Sequence, residues 1–256
     1  MSTVFFRKES LHRNILTACF FLFPAMVLAT QPATETSTQS FSVRLGASRI
    51  IYNPASAGQT LAVTNPQDYP ILIQSKVLDT DRKTPAPFVV TPPLMRLDAQ
   101  QSSRLRIVRT GGDFAPDRES MQLLCVKGIP PKEGDAWAKE KGAASEKVSL
   151  NVQLSINNCI KLLVRPDAVK GHPDDAQHRL KWQRQNNKLK ATNDSPFYIN
   201  LSALKINGAN VPDIKYVAPY SSQEFTVPSG KSAGRVEWKL VNDYGGETPF
   251  YQADVR

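Results

Sequence analysis

The sequence contains few of the residues on which metal centres and catalytic sites depend. Its 256 residues include three cysteines and three histidines. No cysteine belongs to a CxxC motif, so zinc binding and thioredoxin-like redox chemistry are poorly supported. A GxSxG nucleophile elbow is absent, and no nucleophile–base set can be assembled. We therefore expect no catalytic residues, no metal site and no cofactor.

Long apolar runs are also scarce, and the one that exists lies at the N-terminus. Arg7, Lys8 and Arg13 precede an apolar run from Ile15 to Ala29 that ends in small residues. This pattern is typical of a secretory signal peptide, and the run is too short for a membrane anchor. We interpret residues 1–29 as a signal peptide and expect an exported protein that begins near Thr30.

The charge of the chain is basic. Residues 1–29 contain three basic residues and one acidic residue, so their removal lowers the formal net charge from +9 to +7. A basic balance suits nucleic acid, an anionic surface or a negatively charged partner. Export argues against nucleic acid as that partner.

Two cysteines, Cys125 and Cys159, remain in the mature chain because Cys19 lies in the signal peptide. In an oxidising compartment such a pair most simply forms a disulfide.

Short β-type runs, separated by turn residues, dominate the mature sequence, whereas helical periodicity is limited to a weak candidate at Asp135–Lys141. This spacing is typical of β-sandwiches. A break at Pro166, followed by a charged segment, predicts domains over residues 30–166 and 167–256. The predicted strands outside the segment from Leu150 to Pro166 are Phe41–Leu45, Thr60–Thr64, Tyr69–Val77, Phe88–Val90, Arg104–Val108, Met121–Lys127, Arg179–Gln183, Phe197–Ile206, Gln223–Val227, Arg235–Val241 and Phe250–Asp254.

Strict alternation marks the segment from Leu150 to Pro166, with apolar residues at nearly every even position. It predicts one extended strand of roughly 56 Å, far longer than an ordinary strand. The part from Val148 to Ile156 carries no charge, proline or glycine, the features that normally protect an exposed edge. Such an edge suits pairing with another chain, although use of the strand only in the core stays an alternative.

Two cations are flanked by strongly apolar residues. Arg49 precedes Ile50-Ile51, and Lys161 lies between Ile160 and Leu162. Such a side chain is either splayed outward to water or held in a cleft for an anion. The sequence leaves both interpretations open. The nineteen-residue connection Ile129–Lys147 is similarly either functional or a tolerated surface insertion.

Several short blocks resemble the periplasmic chaperones of chaperone–usher fimbrial assembly, the P-pilus chaperone family. The long connection and the cysteine pair are similar to its long-loop (FGL) subfamily and to the capsular-antigen chaperones. The blocks are Ser48–Tyr52, Thr91–Pro93, Arg96-Leu97, Asp117–Ser120, Cys125–Pro131, Asn157–Pro166, Asn193–Tyr198 and Asn242–Gly246.

The resemblance implies an all-β protein of two immunoglobulin-like sandwich domains set at an angle. It implies a one-to-one complex with a fimbrial or capsule-like fibre subunit, which lacks its last strand and borrows one before delivery to an outer-membrane usher. Arg49 and Lys161 would grip the subunit's C-terminal carboxylate, and Phe41, Val43 and Leu45 would form an N-terminal edge strand beside the client. The donor side chains would be Val148, Leu150, Val152, Leu154 and Ile156.

Further expectations concern location and rival functions. The resemblance places the protein in the periplasm, with neither ATP nor metal required, and leaves open whether the free protein hides its edge by self-association. The main alternative is a secreted adhesin or binding protein of two immunoglobulin-like domains. An exported hydrolase on a β scaffold is a third candidate.

Overall fold

A computed structural model describes residues 35–131, 135–138, 149–175, 177–185, 187–227 and 234–255 of the 256-residue chain. For residues 35–40, 138 and 149–153 the description covers the backbone alone. The predicted signal peptide, Val148 and most of the long connection lie outside the described residues. Within the described part, no helix is both long and apolar enough to cross a membrane.

The first half of the described chain forms a β-sandwich. One sheet has the strand order β3-β11-β9-β5-β7, the facing sheet has the order β2-β4-β8-β6, and β1 pairs with β10 in a separate ribbon. The strands are β1 (Glu35–Phe41), β2 (Arg44–Leu45), β3 (Arg49–Tyr52), β4 (Gln59–Thr64), β5 (Ile71–Leu78), β6 (Phe88–Thr91), β7 (Leu94–Leu97), β8 (Ser102–Arg109), β9 (Ser120–Ile129), β10 (Ser149–Ser155) and β11 (Asn157–Val164).

Alternation along the strands builds the core of this sandwich. On β8, Leu105 and Ile107 are buried between the sheets, while Arg104 and Arg106 point to solvent. On β4, Leu61 lies directly opposite Leu105 and is also buried. Side chains that alternate in this way place one face of each sheet in the core and leave the other face polar.

The second half forms another sandwich with its own core. Its sheets have the orders β12-β13-β17 and β15-β14-β18-β19, and β16 pairs with β14. The core is centred on Trp182 and Trp238, whose ring centroids lie 5.3 Å apart. The strands are β12 (Leu180–Gln185), β13 (Lys188–Asn193), β14 (Ile199–Ile206), β15 (Ala209–Asn210), β16 (Tyr216–Val217), β17 (Ser221–Thr226), β18 (Gly234–Leu240) and β19 (Tyr251–Val255).

The two hydrophobic cores are separate along the chain. Residues of the first lie between Phe41 and Val164, and residues of the second lie between Val169 and Val255. The predicted boundary after Pro166 falls in the short interval between them. The all-β sandwich architecture predicted from the sequence is confirmed.

The long alternating segment is two strands rather than one. At Ile156 the backbone changes partners: its carbonyl accepts a hydrogen bond from Gly128 N on β9, whereas its amide donates to the Phe41 carbonyl at the end of β1. Beyond this point β11 pairs with β9 and β3, while β10 pairs with β1. The prediction of a single continuous strand is therefore wrong, because the partner strands end where the segment divides.

The N-terminal edge strand predicted through Phe41, Val43 and Leu45 also differs from the structure. Phe41 and Val43 are 1% and 3% exposed and belong to the first core, against which Leu45 packs. The chain crosses here from the ribbon to the four-stranded sheet, so β1 ends at Phe41 and β2 begins at Arg44. The alternation of these three residues reflects their burial in the protein's own core.

Strands β3, β7 and β13 are among those that the sequence patterns do not predict. β3 and β7 have only four residues each. β13 has six, but Leu189 is the one large apolar residue on its buried face, beside Ala191 and Asn193, so its alternation is weak. The weak helical candidate Asp135–Lys141 contains a three-residue 3₁₀ turn at Ala136–Ala138, and the rest of it lies outside the described residues apart from Asp135.

The predicted disulfide between Cys125 and Cys159 is present. The two residues lie directly opposite each other on β9 and β11, so the bond ties neighbouring strands of one sheet. It closes a loop with a sequence separation of 34 residues, which contains the long connection.

We expect that replacing both cysteines with serine lowers the free energy of unfolding by about 4 kcal/mol, because an unbridged unfolded chain regains the closure entropy of that loop. Urea denaturation followed by fluorescence measures the change. An unchanged denaturation midpoint would show that the bridge does not stabilise the fold.

Candidate functional site

Arg49 and Lys161 lie side by side where the two sandwiches meet. The parallel pairing of β3 with β11 places them directly opposite each other, on strands about 4.8 Å apart. Both side chains are half-buried rather than splayed into water. The sheet therefore presents two neighbouring cations on one face.

The second sandwich supplies the partners of Lys161. Its ammonium group donates a hydrogen bond to Asn200 Oδ1 and lies 5.5 Å from the centre of the Tyr216 ring. Asn200 on β14 and Tyr216 on β16 are paired residues of one sheet, so they approach the lysine together. Asn200 is buried and also donates from Nδ2 to the Tyr198 carbonyl at 3.1 Å, which fixes its orientation.

Arg49 retains unused hydrogen-bonding capacity. Its Nη1 donates to the Val241 carbonyl at 3.3 Å, while its buried Nε has no hydrogen-bond partner among the described residues. A buried donor without a partner is costly, and an incoming acceptor would remove that cost. The guanidinium is therefore suited to receive an anion.

Burial also lowers the basicity of both cations. Desolvation, with a contribution from the neighbouring charge of Arg49, lowers the pKa of Lys161 from 10.5 to about 8. Desolvation likewise lowers the pKa of Arg49, against the attraction of Asp243 and Glu119. An anion bound between the two cations would restore the stabilisation that each loses on leaving water.

A second polar cluster, centred on Arg165 immediately after the end of β11, also joins the two sandwiches. Arg165 Nε donates to Glu119 at 2.7 Å, and its Nη1 and Nη2 donate to the two carboxylate oxygens of Asp243 at 2.7 and 2.6 Å. Asp243 also contacts His172 Nδ1 at 2.8 Å. Burial alone would raise the pKa of Asp243, but hydrogen bonds with Arg165 and His172 outweigh it and lower that pKa.

Glu119 connects this cluster to the strand that carries Asn200. Its side chain is fully buried, and Oε2 accepts a hydrogen bond from the Tyr198 amide at 2.7 Å. Its own amide donates to the Pro196 carbonyl at 2.9 Å. These bonds hold the start of β14 against the first sandwich and so bring Asn200 to Lys161.

These supporting residues were not assigned a role from the sequence. Glu119, Arg165 and Asp243 fall within blocks that carry the family resemblance, but nothing local indicates that they meet. The signal that was available for Glu119 is a carboxylate immediately before a strongly apolar strand, where a buried charge needs a partner.

The carboxylates of Glu119 and Asp243 pair with Arg165 rather than with Arg49 or Lys161, which leaves these two cations available for an external anion. A carboxylate fits well, because two oxygens can accept hydrogen bonds from a guanidinium and an ammonium at once. No group of three or more histidine, cysteine or acidic residues suited to a metal ion occurs among the described residues.

An exposed apolar ridge precedes Lys161 along the chain. Leu154, at the end of β10, is 51% exposed, and Ile156 at the strand break is 37% exposed. Of the other predicted donor residues, the backbones of Leu150 and Val152 lie on β10, while Val148 lies outside the described residues. The ridge is thus continuous in sequence with the strand that carries Lys161.

Comparison with known proteins gives two family matches that together span most of the chain. Residues 42–170 match the family described as pili and flagellar-assembly chaperone, PapD N-terminal domain. Residues 175–252 match the family described as pili assembly chaperone PapD, C-terminal domain.

Individual relatives agree with these matches. The chain is 63% identical to the chaperone protein AfaB of Escherichia coli over 200 residues, which is 77% of this chain and 81% of AfaB. It is similar to the crystal structure of the E. coli chaperone DraB, with a TM-score of 0.76 and 56% identity over 87% of this chain and all of that chain. A Salmonella enterica SafA pilin–SafB chaperone complex gives a TM-score of 0.76 and 46% identity, covering 86% of this chain and 99% of that chain.

We expect Lys161 to titrate near pH 8 in the folded protein, measured by NMR of the lysine side-chain ¹³Cε resonance. Arg49→Gln should raise this pKa by removing a like charge, but not to 10.5, because burial is the larger cause. Binding of an anion to the charged lysine should weaken as the pH rises through 8. The lysine's contribution to the free energy of unfolding should increase from about pH 8 to 10.5, since the unfolded state then binds more protons.

Lys161→Met identifies the resonance, and Arg104→Gln, on the facing sheet, is the matched control. A pKa near 10.5 in the wild-type protein, or an equal shift in both arginine variants, would contradict the buried pair.

Proposed function

The chain belongs to the family of pilus-assembly chaperones, and from this premise we propose that it captures a fibre subunit by lending it β10. It does so in the periplasm, binds one subunit at a time and delivers it to an outer-membrane usher. The subunit belongs to a fimbrial or capsule-like surface fibre. The observation that carries the proposal is the exposed ridge of Leu154 and Ile156, which leads directly into the strand bearing Lys161.

Strand lending follows from the chemistry of the ridge. In donor-strand complementation, an established example of strand addition, backbone hydrogen bonds give affinity and side-chain pockets give specificity. Val148, Leu150, Val152, Leu154 and Ile156 would fill the groove that an incomplete subunit leaves open. Each large side chain that becomes buried contributes about 1.5–3 kcal/mol before the costs of association.

The cation pair sets the register of this pairing. Arg49 and Lys161 would bind the subunit's C-terminal carboxylate, which gives its last strand a fixed end point. Register must be fixed because a slip of one residue turns every apolar side chain to the opposite face. From Lys161 back to Ile156 is about 17 Å along an extended chain, so the anchored strand reaches the ridge within five residues.

We propose that β1 takes part as a second strand beside the client. It pairs with β10 in parallel, from Glu35 opposite Ser149 to Phe41 opposite Ser155. The buried side chains of Phe41 and Val43 fasten the end of this strand to the first core, so residues 35–40 are the part that could meet a subunit. This assignment replaces the edge strand expected through Phe41, Val43 and Leu45.

Two further parts of the proposal concern chemistry and domain limits. Capture and release proceed by exchange of strands, without catalysis, ATP or metal.

We propose residues 30–166 as the chaperone domain that carries the donor strand and residues 167–256 as the second domain. The second domain contributes Asn200 and Tyr216 to the cleft.

We expect Arg49→Ala and Lys161→Ala each to abolish recovery of a soluble one-to-one complex when the chaperone is co-expressed with its fibre subunit, because the carboxylate loses an essential cation. Affinity purification followed by native mass spectrometry measures the complex. Far-UV circular dichroism tests that the free variants stay folded.

Arg104→Ala is the matched control, since this exposed arginine lies on the facing sheet. Wild-type recovery with Arg49→Ala or Lys161→Ala would refute the anchor. Loss of the complex with Arg104→Ala as well would show that the effect follows net charge rather than the site.

We expect Leu154→Asp to prevent capture, because a carboxylate at this place would have to be buried in the subunit's apolar groove. Val89→Asp is the control: Val89 is 50% exposed, almost the same as Leu154, but lies on β6 of the four-stranded sheet. The yield of co-purified subunit is the measurement. Equal yields from the two variants would remove Leu154 from the donor strand.

A further inference from the structure

An open cavity of about 320 Å³ lies where the chain passes from β10 into the five-stranded sheet at β11. It is formed by β5, β9 and the junction between β10 and β11. The lining residues are Gln74, Lys76, Cys125, Lys127, Ser155 and Asn157. The disulfide partner Cys125 gives the cavity an apolar wall, and the two lysines make it basic.

Strand register places this cavity on the same face of the sheet as the cation pair. On β11, Asn157, Cys159 and Lys161 alternate onto one face, and they lie opposite Lys127, Cys125 and Leu123 of β9. The row that contains Lys127 is therefore four residues, or about 13 Å, from the row that contains Lys161. A strand anchored at Arg49 and Lys161 would run along the free edge of β11, two strand spacings or about 10 Å from Lys127, a gap that two long side chains extended towards each other can span.

Lys76 and Lys127 have no anionic partner in the described part of the chain. Both are exposed, no ion pair or hydrogen bond joins either side chain to a described residue, and no lining residue of the cavity is acidic. Some exposed lysines are paired, such as Lys181 with Asp194 and Lys188 with Glu224, each at 2.6 Å, whereas Lys83 and Lys170, like the two cavity lysines, have no ion-pair partner among the described residues.

The two lysines occupy neighbouring positions on the sheet, so the lack of an anion leaves two like charges close together. Lys76 lies opposite Cys125, and Lys127 lies opposite Gln74, so the lysines occupy diagonal positions whose backbones lie about 7–8 Å apart. Ammonium groups carried on such neighbouring positions repel each other where they approach, and an anion placed between them removes that repulsion. The side of the sheet nearest the client thus carries an uncompensated positive charge.

We propose that this cavity binds an acidic side chain from the last strand of the fibre subunit, about four residues before its C-terminus. The proposal rests on the proposed function and adds a selective contact to it. Every protein chain ends in a carboxylate, and backbone pairing accepts most sequences, so neither distinguishes one subunit from another. An ionic contact with one side chain does, because a subunit without the acid leaves both lysines uncompensated.

The test is a competition for limiting subunit between differently tagged wild-type and variant full-length chaperones, expressed together in the periplasm. Lys76→Gln with Lys127→Gln should reduce the variant's share of the subunit by about threefold to tenfold at low salt, the range expected for two exposed ion pairs. Lys76→Glu with Lys127→Glu should reduce it further. Both deficits should shrink when capture is repeated in vitro in 0.5 M NaCl.

Lys83→Glu with Lys170→Glu is the control, since it makes the same change of net charge at two exposed lysines away from the cavity. Equal competition by the cavity and control variants at low salt would overturn the proposal. Rescue of Lys76→Glu with Lys127→Glu by an acid-to-lysine change in the subunit's last strand would identify the bound side chain.

Two more sets of variants distinguish an acid of the subunit from an acid of the chaperone, and the cavity from the anchor. If Glu140→Gln with Glu146→Gln in the long connection abolishes the effect of the lysine variants, the cavity's partner is the chaperone itself, and the proposal fails. If Arg49→Ala also competes normally, the proposed function fails. If Arg49→Ala loses the subunit while the cavity variants do not, only the cavity proposal is lost.

Discussion

The parallel pairing of β3 with β11 forces two like charges into direct opposition at the junction of the sandwiches. Arg49 and Lys161 repel each other and lose hydration there, and Asn200 and Tyr216 relieve this for Lys161 alone. Two cations that are poorly hydrated and repel each other gain more free energy from an incoming carboxylate than a pair of solvated cations would. Under the proposed function, the client's C-terminal carboxylate would supply this stabilisation.

The second sandwich has to be held in a fixed position against the first to supply the partners of Lys161. The partners of Lys161 come from β14 and β16, so they must arrive within hydrogen-bond distance of a residue on another domain. The cluster around Arg165 holds it there. The carboxylates of Glu119 and Asp243 form ion pairs with the Arg165 guanidinium, and Glu119 also accepts a hydrogen bond from the Tyr198 amide. Both carboxylates attract Arg49 but form their ion pairs with Arg165, so neither is paired directly with Arg49 or Lys161.

Local patterns predicted what depends on local chemistry, and they failed where distant strands decide. The strand predicted over Arg104–Val108 is present as β8, and its alternation of Leu105 and Ile107 with Arg104 and Arg106 matches the buried and exposed faces. The break at Ile156 has no local cause, since it arises where the backbone changes its partner from β9 to Phe41. Arg165 reaches carboxylates 46 and 78 residues away, a meeting that no spacing rule anticipates.

The division of one alternating segment at Ile156 separates two evolutionary demands. β11 is committed to the core through Leu162 and Val164, so its sequence is constrained by the stability of the chaperone itself. Leu154, on the other side of the break, contributes little to that core and can change without weakening the fold. If β10 is lent as proposed, a lineage could thus change its apolar side chains to fit a diverging fibre protein while the rest of the chaperone stays the same.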